Sequence, residues 1–490
     1  MTREKTYKIV DAPSDELIKI KHRGKIYTPD YLANLILDHG HYKIGNINQK
    51  HVIDNSCGDG QFLIHVVDRY CKDFLNTSND TKELKTQLEK FIHAIEIDPD
   101  ELAICMSRCD QVAAMYGVDG VKWNFMCGDA LKIHNFDGKM DFVVGNPPYV
   151  RVHNLNEDFN NVKGFIFGNG GMTDLYIVFF EIGIKMLNNN GILAYITPSS
   201  YFTSLAGKNL REYLNRTKIL ESICDFKHFQ AFSATTYTAI TVLNNKKEGL
   251  VNYFEFDNES LTSVLIEKLN IEDYLINGNF YFSSKNKLQV LKDILFSVNQ
   301  TDIQVKNGYA TLADSVFIND FDFDSSYIIP VVKASRGRWT KIFYPYDRDS
   351  NLIDETQLRK DTRMYEYLTS KESQLKNRSN EKDSSVYWYA FGRSQGINDT
   401  YKPKISINSL IRTISDLKLV DVPSGCGVYS GLYITSNTIS REDIKQALLN
   451  DEFEIYISIL GKYKSGGYYT FSSKDVKNYL DYKLGSGGLF

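Results

Sequence analysis

Through residue 245 the chain alternates short apolar runs with longer amphipathic stretches, and that alternation leaves few folds open. "HVIDNSCGDGQFLIHVVDRY" (51–70) passes from an apolar run through a glycine turn into a stretch that places Phe62, Leu63, Val66 and Val67 on one helical side. "FIHAIEID" (91–98) reads as a second strand, followed over 99–117 by a helix that Pro99 opens and Gly117 ends. "WNFMCGDAL" (123–131) and "DFVVG" (141–145) supply two more strands. "LYIVFFEIGIKML" (175–187) reads as helix, and "GILAYITP" (191–198) and "TAITVLNN" (238–245) as strands. Strands separated by helices form βαβ units. The expected fold is therefore α/β, with a doubly wound, mostly parallel sheet over residues 1–250. After "NNKKEG" (244–249) the alternation gives way to irregular, tyrosine-bearing segments, and residues 251–490 are expected to form a C-terminal α+β region.

At 490 residues and 42% hydrophobic the chain can bury large cores, and two or three domains are expected. The formal net charge of −4 gives no whole-chain attraction to a polyanion, so any nucleic-acid surface must come from local clusters of Lys and Arg. Seven cysteines without a C-x-x-C pair fit reduced thiols and no metal centre. The charged N-terminal stretch has no signal-peptide core, and no apolar run is long enough to span a bilayer. No membrane association and a cytoplasmic location are the resulting expectations.

In a parallel sheet, ligands sit outside the carboxyl ends of the strands. The first such end is "DNSCGDGQF", where Asp54 closes the strand and Gly58 and Gly60 permit tight reversal and close backbone approach. The second carries Glu96, which can bind both hydroxyls of a ribose; the third carries Asp129, which can accept from an adenine amino group. Alone, the glycine turn reads equally well as an ordinary strand-to-helix turn and Glu96 reads more readily as a solvated acid, whereas the ordered set points to a nucleoside cofactor. The fourth end is "DFVVGNPPYVR" (141–151), where two prolines remove two backbone donors, fix two φ angles and hold Asn146 and Tyr149 in a stiff turn.

This series resembles the gamma class of adenine-specific DNA methyltransferases, the TaqI-like group of restriction–modification systems, over roughly residues 24–245. "GKIYTPDYLANLIL" (24–37) looks like the family's "YTP" segment, which implies Tyr27 and Thr28 near the methionine end of S-adenosylmethionine. "DNSCGDGQFL" is similar to the cofactor loop, implying contacts from Asp54, Cys57 and Gly58; Asn55 and Ser56 depart from the usual small residue and alanine. "IEID" and "GDAL" then imply Glu96 at the ribose with Ile97 beside the adenine, and Asp129 with Ala130 at the adenine edge. "NPPY" is similar to the catalytic motif, so Asn146 and Pro147 are expected to act on the target amine and Tyr149 to stack on the base. "FQAFSATTYTAITVL" (229–243) looks like the segment bearing a second stacking aromatic, assigned to Phe232 with Phe229 as competitor. The Cys57 thiol itself reads as packing, because no basic neighbour lowers its pKa.

What the resemblance implies is a Rossmann-like, base-flipping methyltransferase domain, followed by a target-recognition region that binds double-stranded DNA. "KASRGRWTKIFY" (333–344) offers Lys333, Arg336, Arg338 and Trp339, and "YWYAFGRSQG" (387–396) offers Arg393, for phosphate and base contacts. Each such cluster also reads as an ordinary solvated face. Only some two dozen residues precede the first motif, so a cognate restriction endonuclease would be a separate chain. "NPPY" also occurs in enzymes that methylate a protein glutamine and in some RNA methyltransferases, and a non-catalytic DNA-binding specificity subunit is the further alternative. The intact motif series and the long C-terminal half weigh toward the DNA enzyme.

Overall fold

The structure is a computed structural model describing residues 28–150, 162–169, 173–232, 236–246, 249–378 and 388–485. The chain divides after Leu288 into two compact units.

The first unit is built on a nine-stranded sheet in the order β3-β2-β1-β4-β5-β7-β6-β8-β9. The strands are β1 (Val52–Asp54), β2 (Ile92–Glu96), β3 (Asn124–Cys127), β4 (Met140–Gly145) and β5 (Leu187–Pro198). They continue with β6 (Leu220–Asp225), β7 (Thr238–Asn244), β8 (Val251–Asp257) and β9 (Thr262–Leu269). The five parallel pairings are β2–β3, β1–β2, β1–β4, β4–β5 and β6–β8. The other three are antiparallel, so the sheet is mostly parallel as expected. Helix α1 (Asp30–His39) precedes β1, and the connections between strands carry α2 (Leu63–Leu75), α3 (Thr81–Phe91), α4 (Pro99–Ala114), α5 (Leu175–Met186) and α6 (Lys208–Thr217). In α2 the buried side chains Leu63, Val66, Val67, Tyr70 and Phe74 recur at helical spacing and pack on Val52, Ile92 and Val144 of the sheet. Helix α4 begins as its sequence predicts, with Pro99 in its first turn and the Asp98 side chain accepting from the Asp100 N–H at 3.0 Å.

The first unit runs past the expected end near residue 250, because β8 and β9 join the same sheet. They form an antiparallel pair with no intervening helix, so the strand–helix alternation stops while the sheet continues. In the second unit, Gln304–Asn307, Leu432–Thr435, Lys404–Ile407 and Leu419–Val422 form a four-stranded antiparallel sheet. Two three-stranded sheets accompany it, with helices at Thr362–Thr369, Arg441–Leu448, Asp451–Ile459 and Ser473–Leu484. This is the α+β character expected of the C-terminal half. Among the described residues no helix is long and apolar enough to cross a membrane.

Candidate active site

Strand order reverses where β1 meets β4, the point at which an open parallel sheet leaves a crevice at its carboxyl edge. A cavity of about 700 Å³ opens there, lined by Thr28, Asp54, Cys57, Gly58, Glu96, Ile97, Asp129, Ala130 and Asn146 among others. Residues expected on five segments are thus brought to one wall. Tyr27 lies outside the described residues.

Asp54 ends β1 fully buried, accepting the Ser56 N–H at 3.0 Å, and burial pushes its carboxyl up to about 8. The neighbouring strand end is fitted against it: a Cβ on Gly145, whose φ is +149°, would lie 2.7 Å from Asp54 Oδ1. The loop after β1 then passes close to α4, where a Cβ on Gly60 (φ +82°) would lie 2.7 Å from Cys105 Sγ. Cys57 secures the loop through its backbone, its N–H donating to the Ile95 carbonyl at 3.1 Å. Its side chain is buried and its thiol pushed well up, which suits packing and disfavours nucleophilic chemistry.

Glu96 is held by two backbone donors, Gly58 N–H to one oxygen and Asp98 N–H to the other, both at 2.9 Å. Each oxygen keeps a second lone pair for a diol. Asp129 accepts the Leu131 N–H at 3.0 Å, which fixes its carboxylate on the wall next to Ala130.

The "NPPY" turn leaves β4 at this crevice. Asn146 Nδ2 donates to Thr28 Oγ1 at 3.2 Å, joining residues 118 apart. Asn146 and Pro148 line the cavity, while Pro147 between them is buried. Tyr149 turns to the sheet, its hydroxyl donating to the Ile196 carbonyl at 3.2 Å. Its ring meets Phe232 edge to face, centroids 6.1 Å apart at 74°, whereas Phe229 packs on Phe256 at 4.8 Å. Of the two aromatics weighed from sequence, Phe232 is the one against Tyr149. The rings touch each other and do not frame an open slot between parallel faces.

Arg108 of α4, behind the cavity wall, carried no local signal: it donates to Asp59 Oδ2 at 2.6 Å and to Gln61 Oε1, clamping the glycine loop, and its partners lie 49 and 47 residues away, beyond any motif. Asp98, Asp100 and Glu101 line the cavity, and the run of acids directly after Glu96 is the sign of it. Seven carboxylates line the cavity and, among the described residues, no lysine, arginine or histidine does.

In the second unit Lys333 and Arg338 face each other across an antiparallel hairpin (Ile328–Lys333 and Arg338–Phe343), with Arg336 in its turn. Arg336 and Arg338 are exposed, and so is Trp339, at 46%. Arg393 is exposed on a different segment, its N–H bonded to the Ala310 carbonyl at 3.1 Å.

Sheet order, crevice and nucleoside-sized cavity define the class: this is an α/β fold of the methyltransferase type. Residues 41–232 match the family described as the Eco57I restriction-modification methylase. The chain is 25% identical over 422 residues to the Type II methyltransferase M.BstVI of Geobacillus stearothermophilus, covering 75% of this chain and 73% of that one. It is also 25% identical over 399 residues to the Type II restriction enzyme and methyltransferase RM.Eco57I of Escherichia coli, covering 68% of this chain and 39% of that one. The Type IIL restriction-modification enzyme MmeI, solved in complex with DNA, shares the fold with a TM-score of 0.60 at 14% identity, over 95% of this chain and 65% of that one. Sequence similarity thus groups residues 41–232 with the Eco57I-type restriction-modification methylases. The TaqI-like group named by the motifs is a finer assignment that this match does not make.

Proposed function

We propose that the chain transfers a methyl group from S-adenosylmethionine to the exocyclic amine of adenine in double-stranded DNA, and that its second unit selects the target sequence. The observation that carries this reading is the Asn146 turn opening on the same cavity wall as Thr28, Asp54, Glu96 and Asp129. The cofactor fits the donor set: it is a nucleoside whose sulfonium and ammonium suit a wall of carboxylates, and whose ribose hydroxyls suit the anchored Glu96. When bound it supplies the electrophilic methyl group.

Adenine's amine is a weak nucleophile because its lone pair is delocalised into the ring. Hydrogen bonds from that amine to the Asn146 side-chain oxygen and the Pro147 carbonyl favour a more tetrahedral nitrogen and localise the pair. Both acceptors sit on a turn stiffened by Pro147 and Pro148, so no reorganisation is needed as charge develops. The base must leave the duplex to reach them, and stacking on Tyr149 and Phe232, worth about 1–3 kcal/mol per base, offsets part of that cost. The edge-on contact of the two rings means that one of them turns as the base enters. The hairpin cations Lys333, Arg336 and Arg338, with Trp339 beside them and Arg393 on its own segment, are assigned to DNA contact.

The test is methyl incorporation from tritiated S-adenosylmethionine into duplex DNA, RNA and a translation release factor, followed by nucleoside analysis of the DNA. N6-methyladenine in duplex DNA is expected. Label in release factor or RNA alone, or N4-methylcytosine in the DNA, would overturn the assignment.

A further inference from the structure

The turn that leaves β6 toward Phe232 is held by strand β8 more closely than a connecting loop requires. Lys227, at φ +47°, donates its N–H to Asp225 Oδ1 at 2.8 Å, and the Phe229 N–H closes the turn on the Phe226 carbonyl at 2.8 Å. Left-handed backbone is strained for a lysine, so neighbouring contacts must hold it there. Two consecutive residues of β8 supply them. Glu255 pairs with the Lys227 ammonium, while Phe256 stacks on Phe226, centroids 4.5 Å apart at 21°, and meets Phe229 at 4.8 Å. Successive strand residues face opposite sides of a sheet, so the turn is gripped from both faces of β8.

The same ring reaches a second element. Tyr31 of α1 packs on Phe256 with centroids 6.3 Å apart, and α1 begins two residues after Thr28, whose hydroxyl accepts from the Asn146 amide at 3.2 Å. Half-buried Phe256 therefore touches both the turn leading to Phe232 and the helix that starts beside Thr28. Phe232 follows Phe229 by three residues and stands against Tyr149 at 6.1 Å. A span that short transmits any shift of the turn to the Phe232 ring. Phe256 itself does not line the cavity that holds Thr28, Asp54 and Glu96, so its influence falls on the base side of the site.

We propose that Phe256 is a positioning residue for the target adenine, acting through Phe226 and Phe229 to set where the Phe232 ring meets the base. This rests on the methyltransferase reading above. It gives the β8–β9 hairpin, which lies beyond the strand–helix alternation, a part in the chemistry: it braces the base pocket.

The experiment is steady-state methyl transfer from tritiated S-adenosylmethionine to duplex DNA prepared from methylation-free cells. It compares the full chain with Phe256→Ala, Phe256→Tyr, Phe232→Ala and the double variant, and adds calorimetric binding of S-adenosylhomocysteine and thermal melts. Phe256→Ala should lower kcat about 10-fold with the cofactor KM and S-adenosylhomocysteine affinity unchanged, and Phe256→Tyr, which keeps the ring, should stay within about twofold of the parent. In the Phe232→Ala background the further change Phe256→Ala should cost less than about twofold, because the residue through which it acts is already gone. An unchanged kcat for Phe256→Ala, or its full loss repeated in the Phe232→Ala background, would overturn the proposal. Weakened S-adenosylhomocysteine binding together with a lowered melting temperature would also overturn it and make Phe256 a general core residue. Absence of methyl transfer to DNA by the unmodified chain would instead refute the methyltransferase reading itself.

Discussion

Gly145 and Asp54 end adjacent strands in contact so close that a single methyl group on Gly145 would press into the Asp54 carboxylate. The Asn146 turn therefore begins on the floor of the cavity. Gly145→Ala adds that methyl at a backbone angle L-residues avoid and should cost about 2–4 kcal/mol. Urea unfolding measures it, and a loss below the error of the method would show that the contact is soft. Because Asn146 is the next residue, methyl transfer by whatever fraction remains folded should fall as well.

Burial holds Asp54 protonated up to about pH 8. A carboxyl whose folded pKa lies above its unfolded value of about 4 binds its proton more tightly in the fold. Its contribution to stability is therefore fully present below the unfolded pKa and is lost as pH rises toward about 8. Asp54→Asn should raise the melting temperature more at pH 8 than at pH 5. A cationic ligand favours the ionised form, so binding releases a proton, and affinity climbs by at most about tenfold per pH unit toward pH 8 before levelling. Calorimetry in buffers of different ionisation enthalpy reads the proton directly; proton uptake would contradict the assignment.

The bond from Asn146 Nδ2 to Thr28 Oγ1 anchors the nitrogen end of the amide, and the proposed mechanism uses the oxygen end as acceptor. Asn146→Ala should abolish turnover, more than about 100-fold, with cofactor affinity nearly unchanged. Thr28→Val keeps the shape and loses the acceptor; it should lower kcat by about 10-fold, and Thr28→Ser should restore it. A Thr28→Val variant with unchanged kcat and a raised cofactor KM would confine Thr28 to cofactor contact.

Arg336 and Arg338 are exposed at one hairpin end. Alanine at either should weaken duplex binding and reduce the slope of log affinity against log salt by about one. Fluorescence anisotropy over a salt series gives both quantities. An unchanged slope would place these side chains away from phosphate.

The strand ends were legible because each combines a buried run with one functional residue at its carboxyl end, as in Ile95–Glu96 and Val144–Gly145–Asn146. Strand β6, "LESICD", escaped because Glu221 and Ser222 interrupt its apolar run, although Ser222 is buried in the structure. Strands β8 and β9 escaped for a different reason: they form a hairpin at the sheet edge, where most of β9 is exposed and carries little of the pattern that marks a core strand. The Arg108 clamp and the Thr28–Asn146 bond join distant segments, so only the folded chain displays them.

The uniform sign of the cavity wall has a consequence for competition in the cell. Adenosine phosphates share their nucleoside portion with the expected cofactor and differ from it in carrying several negative charges. On the proposed reading the acidic lining disfavours such polyanions, so the nucleoside would be chosen by charge as well as by shape.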